Sequence, residues 1–205
     1  MDTSVKFWNG AARKYAESEI SNMALYERKL ALTQNYFTPE SKVMEFGCGT
    51  GSTALIHAPL VGSILGMDSS SEMIEICDEK LAESDIENAS FKCGTVFDAE
   101  VDDLDVILAL NVLHLIPDYP AAIAEAFRLL KPGGVFIPGT VCLAGFPYSL
   151  LRPVLWLAAP LGLVPKVLFL SEDDISQALT SAGFEIIETL PDAGRSHFVV
   201  ARKPG

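Results

Sequence analysis

The chain has 205 residues, 49% of them hydrophobic and 20% charged, enough for one domain with a full core and too apolar for a disordered chain. Twenty-seven acidic residues against 15 basic ones give a net charge of -12, with the basic residues scattered, so a phosphate backbone would be repelled and no nucleic-acid partner is expected. Four cysteines (Cys48, Cys77, Cys93, Cys142) lack CxxC spacing, which speaks for free thiols in a reducing cytoplasm and against a metal site. The opening segment lacks the basic start and apolar run of a signal peptide.

Residues 5–36 read as two helices. Val5, Phe7, Trp8, Ala12 and Tyr15 recur at helical spacing, and so do Met23, Tyr26, Leu30 and Ala31. Thr38-Pro39-Glu40 ends this region. Strands and helices then alternate: strands at 43–46, 63–67, 89–93 and 104–110, helices at 52–57, 71–81 and 119–130. Ser70 or Ser71 caps the helix at 71–81. The run LDVILAL at 104–110 has the apolar character of a strand buried on both faces. Lys131-Pro132-Gly133-Gly134 reads as a turn before a strand from 135. Ser171 and Asp174 have capping-box spacing at the start of a helix that ends near Gly183. Residues 184–190 and 197–201 look like two closing strands. A short turn at 191–194 can join them only as an antiparallel hairpin.

Residues 148–170 are strongly apolar but carry Arg152 and Lys166, and Pro153, Pro160 and Pro165 interrupt them. A membrane-spanning helix needs roughly 20 apolar residues in one piece, so a helical insertion is expected instead. Spanning 144–170, with Phe146, Tyr148, Leu150, Leu151, Leu155, Trp156, Leu157 and Leu168, it would form a lid over an acceptor pocket. Completion of the core, a homodimer interface and contact with a membrane surface stay open as alternatives.

The chemistry centres on Glu45-Phe46-Gly47-Cys48-Gly49-Thr50-Gly51, glycine-rich and set between a strand and a helix. Glycines let the backbone turn sharply and let a ligand come close, and the helix N-terminus offers unpaired N–H groups. Asp68 ends the next strand, 21 residues after Gly47, where an acidic side chain can accept hydrogen bonds from both hydroxyls of a ribose. Loop and acid together point to a nucleoside cofactor.

The segments EFGCGTGSTAL (45–55), MDSSSEMIEIC (67–77), KCGTVFD (92–98), DVILALNVLHLIPD (105–118) and RLLKPGGVFI (128–137), in this order, resemble the class I S-adenosylmethionine-dependent methyltransferases of the small-molecule type. The resemblance runs through nearly the whole chain. It implies one α/β domain over 1–205, a Rossmann-like seven-stranded, mostly parallel sheet with helices on both faces and the last strand antiparallel. N-terminal helices at 3–36 and the insertion at 144–170 would be additions to it.

The implied cofactor is S-adenosylmethionine. Glu45, Gly47 and Gly51 would face its methionine portion, with Cys48 and Gly49 in the same loop. Asp68 would bind the ribose beside Ser69, Met73 would pack near the adenine, and Thr95 and Val96 would flank it. Many relatives carry an aspartate at the position of Thr95, so backbone N–H groups are the substitute for that contact. Asn111 would meet the amino-acid end of the cofactor, and Tyr15 would close over the site. His114, after the fourth strand, is the candidate base, because neutral imidazole takes a proton near pH 7. The expected reaction is in-line methyl transfer to a small, apolar acceptor. A nicotinamide oxidoreductase and a non-enzymatic cofactor-binding module are the alternatives; against the former, the last position of a GxGxxG fingerprint is Ser52.

Overall fold

A computed structural model describes residues 3–144, 152–159, 164–191 and 196–205. Helices α1 (Thr3–Ala16) and α2 (Met23–Gln34) precede an alternating core of β1 (Lys42–Phe46), α3 (Ser52–His57), β2 (Ser63–Asp68), α4 (Ser71–Ala82), β3 (Ala89–Cys93), β4 (Leu104–Leu110), α5 (Tyr119–Leu129) and β5 (Leu130–Val141). Then come α6 (Arg152–Ala158), α7 (Glu172–Ser181), β6 (Glu185–Thr189) and β7 (Ser196–Arg202). The strands form one seven-stranded sheet in the order β3-β2-β1-β4-β5-β7-β6. β1 to β5 are parallel, and β7 runs antiparallel to both β5 and β6, so the expected closing hairpin is present.

Two-residue alternation sends each strand's side chains to two separate cores. Met44, Phe46, Ile107, Phe136 and Val199 pack on one side with Ile123 of α5 and Ile175 of α7. Val43, Val106, Leu108, Ile137, Phe198 and Val200 pack on the other with Leu32 of α2 and Ala54 of α3. Glu45 falls in phase with Val43, so the fold carries a carboxylate into this second face, where only 2% of its surface is exposed.

Two features depart from the sequence expectations. Lys131–Gly134 does not interrupt the sheet. Leu104 pairs with Leu130 and Val106 with Val135, so these residues form a wide bulge inside one strand. The bulge keeps backbone partners: Gly133 N–H donates to Lys203 O and Lys203 N–H to Gly134 O. In α2 the buried positions are Leu32 and Thr33, whereas Met23 and Ala31 are exposed, so the inward face is rotated from the one the spacing suggests.

The apolar insertion is described only in part. Phe146, Tyr148, Leu150 and Leu151 lie outside the described residues, as do the side chains of Leu155 and Trp156. Within the described part, α6 carries Pro153 in its first turn, where a missing N–H costs nothing, and Leu157 is exposed. The chain then returns along the sheet, with Leu168 N–H donating to His114 O (2.7 Å) and Leu143 N–H to Leu170 O (3.0 Å). Among the described residues, no helix is long and apolar enough to cross a membrane.

Candidate active site: two cavities with a common wall

The chain moves outward from β1 to β3 and then returns to start β4 beside β1. The loops after β1 and β4 therefore diverge, which is where open α/β sheets bind ligands. Two cavities occupy this edge. The larger, about 430 Å³, is lined by residues of α2, α3 and the β1 loop, with Phe198 of β7 and Gly139 of β5. The smaller, about 180 Å³, is lined by Trp8 of α1 and by the loops after β1, β2, β3 and β4. Tyr15, Gly47, Gly49, Leu110 and Asn111 border both.

The smaller cavity gathers Gly47, Gly49, Asp68, Ser69, Met73, Thr95, Val96 and Asn111 of the expected set. Asp68 accepts from Gly49 N–H (3.0 Å) and Ser70 N–H (2.9 Å), one on each carboxylate oxygen. Its carboxyl is nevertheless raised above the usual range, because burial outweighs those two donors. Ser70 caps α4 through Met73 N–H and donates to Asn9, which ties α4 to α1. Met73 is buried against Ala12, Ile76 and Trp8, so it is at once core and cavity wall. Thr95 spends both its N–H and its hydroxyl on Asp98 in a capping box, which leaves neither for a ligand. Asn111 sits at φ +57°, a left-handed conformation that Asn tolerates better than most residues.

The larger cavity holds Glu45 and Cys48 of the expected set. Among the described residues, Glu45 Oε2 is buried with no hydrogen-bond partner. Burial, and then the charge of Asp68, push its carboxyl up to about 8. Tyr15, on the common wall, is half-exposed and packs edge-on against Trp8. Burial, followed by Asp68 and Glu45, raises its hydroxyl above the ordinary value, so it is a hydrogen-bond donor at neutral pH.

Two expected residues line neither cavity. A Cβ on Gly51 would lie 2.9 Å from Cys77 Sγ and from the Phe91 ring, so this glycine serves internal packing and the left-handed start of α3. His114 sits on the 3-10 turn Leu113–Leu115, its Nδ1 3.1 Å from Thr140 Oγ1, and burial depresses it to about 4. The turn presents Leu115 and Ile116 to the smaller cavity instead.

Sequence reasoning missed Lys80, which pins the glycine loop by bonding Thr50 O (2.9 Å) and Ser52 Oγ (2.9 Å). It also missed most of the larger cavity. Tyr26, Lys29, Thr33, Thr53 and Phe198 carry no local motif, and His57 reads as a helix end.

A family model described as a methyltransferase domain matches residues 37–154. An arsenite methyltransferase of Halobacterium salinarum is 29% identical over 167 residues, covering 78% of this chain and 41% of that protein. A demethylmenaquinone methyltransferase of Symbiobacterium thermophilum is 30% identical over 125 residues, covering 58% of this chain and 48% of that protein. The chain thus spans less than half the length of these curated relatives. The crystal structure of YcgJ from Bacillus subtilis superposes with a TM-score of 0.72 at 18% identity, covering 87% of this chain and 99% of that one, which speaks for the fold. With the family model matching more than half of its residues, the chain belongs to the class I methyltransferases, a family whose cofactor is S-adenosylmethionine.

Proposed function

We propose that this chain binds S-adenosylmethionine along the common wall and catalyses transfer of its methyl group to a small, largely apolar acceptor in the larger cavity. The observation that carries this reading is the pair of cavities itself: two adjoining spaces that meet at Tyr15, Gly47, Gly49, Leu110 and Asn111.

The residues fit the cofactor. Asp68 keeps one unused lone pair on each carboxylate oxygen for the ribose, with Ser69 beside it. Met73, Val96 and Phe97 offer the apolar walls an adenine ring requires. Thr95 is spent on Asp98, so polar contact with the base falls to the backbone around it. The unpartnered Glu45 Oε2 is matched by the ammonium of the cofactor's amino-acid end. Gly47, Cys48 and Gly49 bring backbone close to that end, and Asn111 closes it from β4.

The cofactor when bound supplies a methyl group on a sulfonium, already equipped with a good leaving group. The protein's part is to hold the acceptor in line and exclude water. Ile20, Leu30, Leu110 and Phe198 give the larger cavity its apolar walls. Tyr15 stands where it can donate a hydrogen bond across the common wall. His114 has no path to that wall along the cavity linings and is better suited to steadying the β4 turn through Thr140.

Calorimetry with S-adenosylhomocysteine and with NAD tests the reading. Binding of the first and not the second is expected. Tight binding of NAD alone would overturn it.

A further inference from the structure

We infer that Lys29 marks an anion-binding subsite in the larger cavity, built to receive the carboxylate of a ligand bound there. The inference rests on the two-cavity reading above. Lys29 comes from α2, lines the cavity and is partly buried. Its ammonium donates to Ser196 Oγ (2.9 Å) and lies 5.5 Å from the centre of the Phe198 ring. Among the described residues it forms no ion pair, although the chain carries 27 acidic residues. The cations that are paired, Arg13, Lys92, Arg128 and Lys131, meet carboxylates at the surface.

A partly buried ammonium without a counter-charge is unfavourable, and burial alone lowers Lys29 below its ordinary value. An ammonium has three donors, and Ser196 occupies one. An incoming carboxylate would supply both the missing charge and the missing acceptors.

A second group in the same cavity points to a polar ligand. His57 is fully buried against the cavity and, among the described residues, has no hydrogen-bond partner on either ring nitrogen. Burial keeps it neutral near pH 7, with one donor and one acceptor left unpaired just behind the cavity lining. Between these groups the walls are Leu30, Leu110 and Phe198. The ligand chemistry that suits this lining is a carboxylate on a compact apolar or aromatic body. Two molecules can bring a carboxylate here: the cofactor through its amino-acid end, or the methyl acceptor.

The experiment compares wild type, Lys29→Met and Lys29→Arg, each checked for its fold by circular dichroism. S-adenosylhomocysteine and 5′-methylthioadenosine, which lacks the amino-acid end, are titrated by calorimetry. Benzoate and benzamide are titrated alone and with S-adenosylhomocysteine bound. If the cofactor is the source, Lys29→Met weakens S-adenosylhomocysteine by roughly tenfold or more and leaves methylthioadenosine unchanged. If the acceptor is the source, Lys29→Met leaves both nucleosides unchanged and removes benzoate binding but not benzamide binding. Lys29→Arg keeps binding in either case.

The proposal is overturned if Lys29→Met changes none of these affinities, or weakens both nucleosides equally. It is also overturned if wild type prefers benzamide to benzoate while S-adenosylhomocysteine is indifferent to Lys29. Failure of wild type to bind either nucleoside would instead remove the cofactor reading, and benzoate titrated alone would still decide the role of Lys29.

Discussion

The smaller cavity is made where four neighbouring strands end, and the larger one where two helices cross over the sheet. In the first, Gly47, Asp68, Thr95 and Asn111 sit within a few residues of β1, β2, β3 and β4, so sheet register alone brings them together. In the second, Lys29, His57 and Phe198 come from α2, α3 and β7 and meet only because those elements pack. A pocket of the first kind is positioned by sheet register. One of the second kind depends on helix side chains, which can change without disturbing the sheet.

This contrast can be broken by substitution. Gly49 stands at φ +55° on the common wall. A Cβ there meets only Tyr15, at 3.6 Å, so Gly49→Val combines backbone strain with methyl groups intruding on both cavities. Its binding of S-adenosylhomocysteine is expected to fall by about 3 kcal/mol or more in calorimetry. Retained affinity would mean that the common wall is not where the nucleoside lies.

Asp68→Ala should weaken S-adenosylhomocysteine by roughly 1–3 kcal/mol, because ribose hydroxyls lose an acceptor and Gly49 N–H is left unpaired. Benzoate in the larger cavity should be little affected. Unchanged nucleoside affinity in a folded variant would refute the ribose role of Asp68.

A third test sharpens the contrast through pH. Glu45 titrates at about 8 in the folded chain against an ordinary 4.5, so from pH 4.5 to 8 the folded state holds a proton the unfolded state has released. Stability from this group is therefore lost as pH rises, by about 1.4 kcal/mol per unit. His57 and His114 act oppositely. Held at about 4 against an ordinary 6.5, they leave the folded state short of protons between those values, and stability is lost as pH falls. Urea unfolding should give greatest stability near pH 6.5, with a decline towards pH 8 that Glu45→Gln abolishes. A Glu45→Gln variant that declines as wild type does would show that Glu45 carries no such proton.

The sequence made the sheet legible because its signals are local. LDVILAL is β4 to the residue, and Ser171 with Asp174 caps α7 as their spacing requires. The Lys131–Gly134 bulge was not legible, since its partner Lys203 lies far along the chain. The glycine loop and Asp68 were legible for the same reason as β4: each is attached to the end of a strand. His114 was misleading because sequence places it after β4 but cannot say which way a 3-10 turn aims a ring. Lys29 and His57 were not legible at all, because packing of α2 and α3 on the sheet, rather than spacing along the chain, makes them neighbours of one cavity.

The glycine loop carries a consequence for anyone redesigning this protein. A Cβ on Gly47 would fall 2.3 Å from Val112, and one on Gly51 would meet Cys77 and Phe91. Both positions are thus committed to the scaffold's own assembly, whatever ligand is chosen. A mutational screen should score changes at 47 and 51 as losses of expression or melting temperature, and changes at 49 as losses of affinity. Of the three, Gly49 is the one whose added Cβ would meet no described atom closer than 3.6 Å, so a change there carries the strain of its φ of +55° without a packing clash.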